Sequence, residues 1–103
     1  SKCGLKILKV STQNFFGRNM GYIVKFKNEE TKTIDGIAWI ANFYDRFGDF
    51  KGKKEGKWAS GSLVKPAQPD DDFSISQGAW IKDADDVFIT VTKIHYTDGT
   101  ACK

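Results

Sequence analysis

Apolar residues in this chain recur mostly at alternate positions, and no stretch carries a sustained 3.6-residue period with helix caps. The clearest run is Met20 to Asn28, where Met20, Tyr22, Val24 and Phe26 take one side while Lys25 and Lys27 take the other. That alternation predicts a strand with one face on a core. Thr33 to Asp45 predicts a longer strand in which Ile37, Trp39, Ala41 and Phe43 share a face. Its other face, with Ala38, Ile40 and Tyr44, is only half polar, which suits a strand central in its sheet.

Two further strands contain a change of phase. Val87, Ile89 and Val91 align, but Ile94 and Tyr96 fall on the opposite side unless a bulge near Thr92-Lys93 re-phases them. Leu5 to Val10 breaks in the same way between Ile7 and Leu8, as an edge strand that changes sheets would. Phe73 to Ser76 alternates, and Ser62-Leu63-Val64 reads as a brief strand closed off by Pro66 and Pro69. Asn28 to Thr31 reads as a turn and Lys82 to Asp86 as an acidic loop. In Thr97-Asp98-Gly99-Thr100 the Asp-Gly pair predicts a type I′ turn. Residues 46–61, rich in glycine and lysine, read as a loop or a short exposed hairpin. About seven short strands at this spacing predict an all-β fold, a two-layer antiparallel immunoglobulin-like β-sandwich, with a small closed barrel as the second choice.

The 103 residues predict a single domain spanning 1–103, too small for a two-lobed enzyme with a cleft between lobes. A hydrophobic fraction of 40%, with 14% aromatic residues, predicts a packed interior rather than disorder. No uncharged run exceeds nine residues, short of a membrane-spanning helix. The two cysteines, Cys3 and Cys102, lie near opposite ends, and their even number and placement predict a disulfide and an oxidising compartment. A chain that opens on Ser1 fits either a processed or a trimmed protein, and Lys2 ahead of Cys3 argues against lipid attachment at that cysteine.

Candidate chemistry is sparse. Lys51, Lys53, Lys54 and Lys57, between Phe50 and Trp58, offer cations and stacking surfaces to an anionic partner. A net charge of +3 and only two arginines, Arg18 and Arg46, argue against a nucleic-acid binder. Asp70 to Asp72 and Asp83 to Asp86 lack the spacing of a calcium loop and read as solvated turns. The single histidine, His95, would need a carboxylate such as Asp98, and Ser74 or Ser76 sits in no nucleophile motif. Cys3, Cys102 and His95 lack the short spacings of a zinc site.

Between Asn28 and Phe50 the chain resembles the FxLYD family of small immunoglobulin-like domains of bacterial and archaeal envelope and secreted proteins. The matching residues are Asn28, Lys32-Thr33-Ile34 and Tyr44-Asp45 followed by Gly48, while Ala41 and Phe43 stand where the family has Phe and Leu. Ile94 to Thr100 is similar to the closing hairpin of related sandwich domains. The resemblance implies a non-catalytic, extracytoplasmic binding or spacer module that contacts a protein or an envelope polymer. It implies no catalytic residue, cofactor or metal. The residues expected to make contact, read from the lysine-rich segment itself, are Arg46, Lys53, Lys54, Lys57 and Trp58. The alternatives are a small secreted enzyme or enzyme inhibitor, and a cationic binder of nucleic acid or anionic lipid.

Overall fold

A computed structural model describes residues 3–103; Ser1 and Lys2, on which the reading of the start of the chain rests, lie outside the described residues. Seven strands form in chain order: β1 (Leu5–Phe15), β2 (Arg18–Asn28), β3 (Ile34–Tyr44), β4 (Phe50–Ala59), β5 (Asp72–Gln77), β6 (Asp86–Tyr96) and β7 (Ala101–Cys102). They pair antiparallel into a three-stranded sheet, β1-β2-β5, and a four-stranded sheet, β4-β3-β6-β7. This is the all-β sandwich that the alternation predicts. Relative to the antibody constant-type order, the fourth strand has moved to the edge of the other sheet.

Between the sheets lies one core. Tyr22, Val24 and Phe26 of β2 face Ile37, Trp39, Ala41 and Phe43 of β3, all at most 3% exposed. Trp39 donates its indole N–H to the Tyr22 hydroxyl at 2.9 Å, across the two sheets. On the other side of the Trp39 ring runs β4, where Gly56 pairs with Trp39 and a Cβ at position 56 would stand 2.2 Å from the ring. Burial pushes the Tyr22 pKa up, and the bond from Trp39 opposes that only in part. Asn28, fully buried, donates to the carbonyls of Lys32 and Ala67 and accepts from the Glu30 N–H, tying the end of β2 to the loop at residue 67.

The predicted phase shifts are both bulges. Thr92 is the extra residue between Lys93, opposite Ala38, and Val91, opposite Trp39, and it returns Ile94 and Tyr96 to the core. Leu8 plays the same part in β1, bringing Val10 into register with Val24 behind Ile7 and Phe26; β1 stays in one sheet throughout rather than changing sheets. Cys3 and Cys102 are disulfide-bonded with Cα atoms 6.3 Å apart, joining the start of the three-stranded sheet to the last strand of the four-stranded one.

Four further expectations fail. Most of segment 46–61 is not a loop: residues 50–59 form β4, because backbone pairing with β3 and the need for a glycine against Trp39 outweigh weak strand propensity. Ser62 to Val64 forms no strand; Leu63 is almost fully exposed, and the one nearby bridge joins Ile34 to Ala67. Met20 is half exposed although in phase with Tyr22, because it lies beyond Tyr22, where the pairing of β2 with β5 ends. The β6–β7 turn has positive φ at Gly99 but not at Asp98, and Tyr96 pairs with Thr100, so three residues close it rather than a two-residue type I′ turn.

Truncating Trp39 to Ala is expected to cost roughly 3–5 kcal/mol, and Gly56→Ala about 3 kcal/mol through overpacking against the same ring. Urea midpoints read both, and a wild-type midpoint for Gly56→Ala would show that β4 does not lie against the indole. Reduction of the Cys3–Cys102 bond, which closes a loop with a sequence separation of 99, is expected to cost about 4–5 kcal/mol in the chain-entropy account. Denaturation with and without reductant checks it, and equal midpoints would exclude that contribution.

Candidate functional site

The solvent face of the four-stranded sheet follows from the core by alternation, since each residue between two inward ones must point outward. From β3 it carries Gly36, Ala38, Ile40, Asn42 and Tyr44; from β4 Ala59, Lys57, Glu55, Lys53 and Phe50; from β6 His95, Lys93, Thr90, Phe88 and Asp86. Two features stand out on it. At one end Tyr44 meets Phe50 and Phe88 edge-on, with ring centres 5.7 and 5.4 Å apart. Phe50 and Phe88 are both more than half exposed, so the three rings form a platform open to solvent.

At the other end the small residues Gly36, Ala38 and Ala59 floor a shallow hollow of about 260 Å³, with Lys57, Lys93 and His95 around it. A bulge in β3 itself, at Asp35, lies beside it, with Ile34 opposite Tyr96 and Gly36 opposite His95. Asp35 Oδ1 lies 2.5 Å from His95 Nδ1, an orienting contact for the imidazole at the rim. Ala38 and Tyr44, six residues apart on β3, are separated by roughly 20 Å at ~3.4 Å per residue. The two features are therefore spaced for an extended ligand rather than for a single small molecule.

The structure divides the five predicted contact residues. Lys53 and Lys57 point to this solvent face, opposite Asn42 and Ala38. Lys54 and Trp58 fall on the alternate row, paired with Ala41 and Ile37. Lys54 stays exposed at the sheet edge, whereas Trp58 is half-buried against the core, its ring 5.4 Å from Phe73 of β5, so it is not the exposed anchor its polar neighbours suggest. Arg46 lies in the β3–β4 turn, where its backbone N–H donates to Asp85 Oδ2 at 2.8 Å and its Nε stands 3.7 Å from the same oxygen. Sequence reasoning missed Phe88, Lys93 and His95 as partners of the lysine segment. Their outward alternation on a strand was readable, but their pairing with β3 was not.

The acidic segments serve as turns. Asp71 accepts the Gln68 N–H, Asp85 holds Arg46, and Asp70 and Asp83 take positive φ. Among the described residues no three His, Cys, Asp or Glu side chains converge as a metal site. His95 pairs with Asp35 rather than Asp98, and Ser74 and Ser76 flank the inward Ile75 on the opposite solvent face of the sandwich. A Ser–His pair is therefore not formed. Trp80, in the loop after β5, packs edge-on against Phe43 at 5.2 Å and donates to the Ala84 carbonyl, a core-capping role. Among the described residues no helix is long and apolar enough to cross a membrane.

Asp98 accepts from both the Thr100 hydroxyl and the Thr100 N–H, and Lys32 lies 3.2 Å from it; the Thr100 bonds, with Lys32 secondary, lower its pKa to about 2. Because the folded value lies below the ordinary carboxylate value, the turn is stabilised above about pH 4 and loses that contribution as pH falls toward 2. An NMR titration of the Asp98 carboxyl is expected to show a midpoint near 2; one near 4 would remove the Thr100 bonds from the account.

Comparison with protein-family models, with curated proteins and with solved structures finds no match to this chain.

Proposed function

We propose that this domain is a non-catalytic, extracytoplasmic, FxLYD-like binding module that holds an extended anionic envelope polymer across the solvent face of its four-stranded sheet. The observation that carries the reading is the pairing, on one face, of an open aromatic platform with a small-residue hollow rimmed by Lys57, Lys93 and His95. Sugar rings stack on aromatic faces through their C–H surfaces, and lysines attract carboxylates or phosphates along a chain without demanding one geometry. A polymer that spans both features gains from each, as linked weak sites do.

The lysines of β4 have a second consequence. Lys51, Lys53, Lys54 and Lys57 line an otherwise unpaired sheet edge, where charge discourages another strand from adding. That edge chemistry alone does not account for Lys93, which lies on β6 two strands away, opposite Ala38. The disulfide fits an extracytoplasmic setting. An enzyme reading has less support, because Ser74 and Ser76 lie on the opposite solvent face from the His95–Asp35 pair.

Native electrophoresis through gels containing polygalacturonate, polyglycerol phosphate, single-stranded DNA or neutral dextran tests the reading. The wild type is expected to be retarded by the first two, little by DNA and not by dextran. Lys57→Gln with Lys93→Gln is expected to weaken the retardation about tenfold, and Phe88→Ser several-fold, at unchanged melting temperature. Equal mobility in all four gels, or variants that behave as wild type, would overturn it.

A further inference from the structure

The β1–β2 hairpin runs past the end of the sandwich. β5 accompanies β2 only as far as Tyr22, which pairs with Gln77, and Tyr22 is also where the opposite sheet ends, against Phe43. Beyond it the two strands continue without a third paired strand, through Gln13 opposite Gly21 and Asn14 opposite Asn19, to a last pair, Phe15 and Arg18. Gln77 and Gly78 still lie against Gly21, and Trp80 and Lys82 to Ala84, in the loop after β5, lie alongside Arg18 and Asn19. The apex is a two-residue turn, Phe16-Gly17, with φ of 52° and 75°. Both values are left-handed, the form that matches the twist of a hairpin and that Asn-Gly normally supplies.

A phenylalanine in that conformation is unusual, because a bulky side chain crowds its own backbone at positive φ. The fold gives it little in return: Phe16 is 91% exposed and stacks edge-on at 4.4 Å against the ring of Phe15, itself 61% exposed. From Val10 to Val24 the only charged residue is Arg18, in a chain that is 28% charged. Phe15 and Phe16 can therefore leave water without stripping a charged group of the hairpin itself, while Asn14, Asn19 and the Arg18 guanidinium form a polar collar directly behind them, with Lys82 and Asp83 beside Arg18.

We propose that this apex is a membrane-contacting tip, with Phe15 and Phe16 entering the interfacial region of a lipid bilayer and Arg18 binding lipid phosphate at its surface. Size and shape decide between a bilayer and a protein partner. A stable protein interface needs about 800 Å² and 20–30 residues on each side, whereas the apex offers two rings at the end of a narrow ribbon. A bilayer accepts a convex apolar point without a matching pocket, and aromatic side chains settle at its headgroup boundary. Two rings anchor weakly and reversibly, so partitioning of the free domain is read at millimolar lipid. None of these residues belongs to the polymer-binding face, and either reading stands without the other.

Flotation with vesicles of pure phosphatidylcholine, and with vesicles containing 30% phosphatidylglycerol, tests the proposal. Phe15→Ser with Phe16→Asn is a suitable variant, because asparagine adopts the left-handed turn more readily than phenylalanine and the fold is expected to be at least as stable. Wild type is expected to float with both vesicles and the double variant to lose at least tenfold in partitioning. Arg18→Gln is expected to lose several-fold on the phosphatidylglycerol vesicles only. A wild-type protein that floats with neither vesicle, or a folded double variant that floats as well as wild type, overturns the proposal. So does sedimentation equilibrium in which the wild type dimerises and the double variant does not, since the rings would then be covered by a second copy.

Discussion

The hydrogen bond from Trp39 to Tyr22, with Gly56 flat against the other side of the indole, is the constraint around which the sandwich is arranged. An indole buried between two sheets must find an acceptor for its N–H, and here that acceptor is the Tyr22 hydroxyl from the facing sheet. Meeting that requirement sets how β2 and β3 lie across each other. The ring then occupies space that a neighbouring side chain would normally fill, so β4 can pair with β3 only where it has no side chain, at Gly56. One bond thus specifies the distance between the sheets and the register of the edge strand.

From that register the binding face follows. Once Gly56 is opposite Trp39, Lys53 and Lys57 must point away from the core, and Lys54 and Trp58 toward it. Bulges finish the arrangement on the other side of β3. Thr92 allows β6 to keep Val91 and Ile94 inward while presenting Lys93 and His95 outward, and Asp35 turns its carboxylate onto His95. Each is a one-residue irregularity that re-aims the side chains on either side of it, so polar and apolar demands are met on the same strand.

Two ties close the structure at places the core does not reach. Asn28, itself fully buried, bonds three backbone groups and so ties the connection after β2 to the segment at Ala67. The disulfide joins β1 and β7 at the open side of the sandwich, where the last strand is only two residues long. The opposite end has no such tie, and there the β1–β2 ribbon is free to extend beyond both sheets.

Alternation along the chain was enough to identify β2, β3, β5 and β6, the core-facing row of β3, the bulge in β6 and the position of the phase break in β1, because burial imposes a period of two; that the β1 break is a bulge rather than a change of sheet was decided by its pairing with β2. It also indicated the cysteine pair. It could not identify β4, whose Gly-Lys composition resembles a loop until Trp39 is known to require Gly56 and β3 to require a partner. Nor could it follow β1 and β2 to Phe15 and Arg18, since the stretch between Ser11 and Asn19 has no apolar face to bury and a phenylalanine is a poor signal for a left-handed turn. The inward or outward direction of Lys54, Trp58 and Lys93 was decided only by pairing between strands far apart in sequence. Local pattern records which residues avoid water; which lysines share a face with which aromatics depends on register, and register is a property of the assembled sheets.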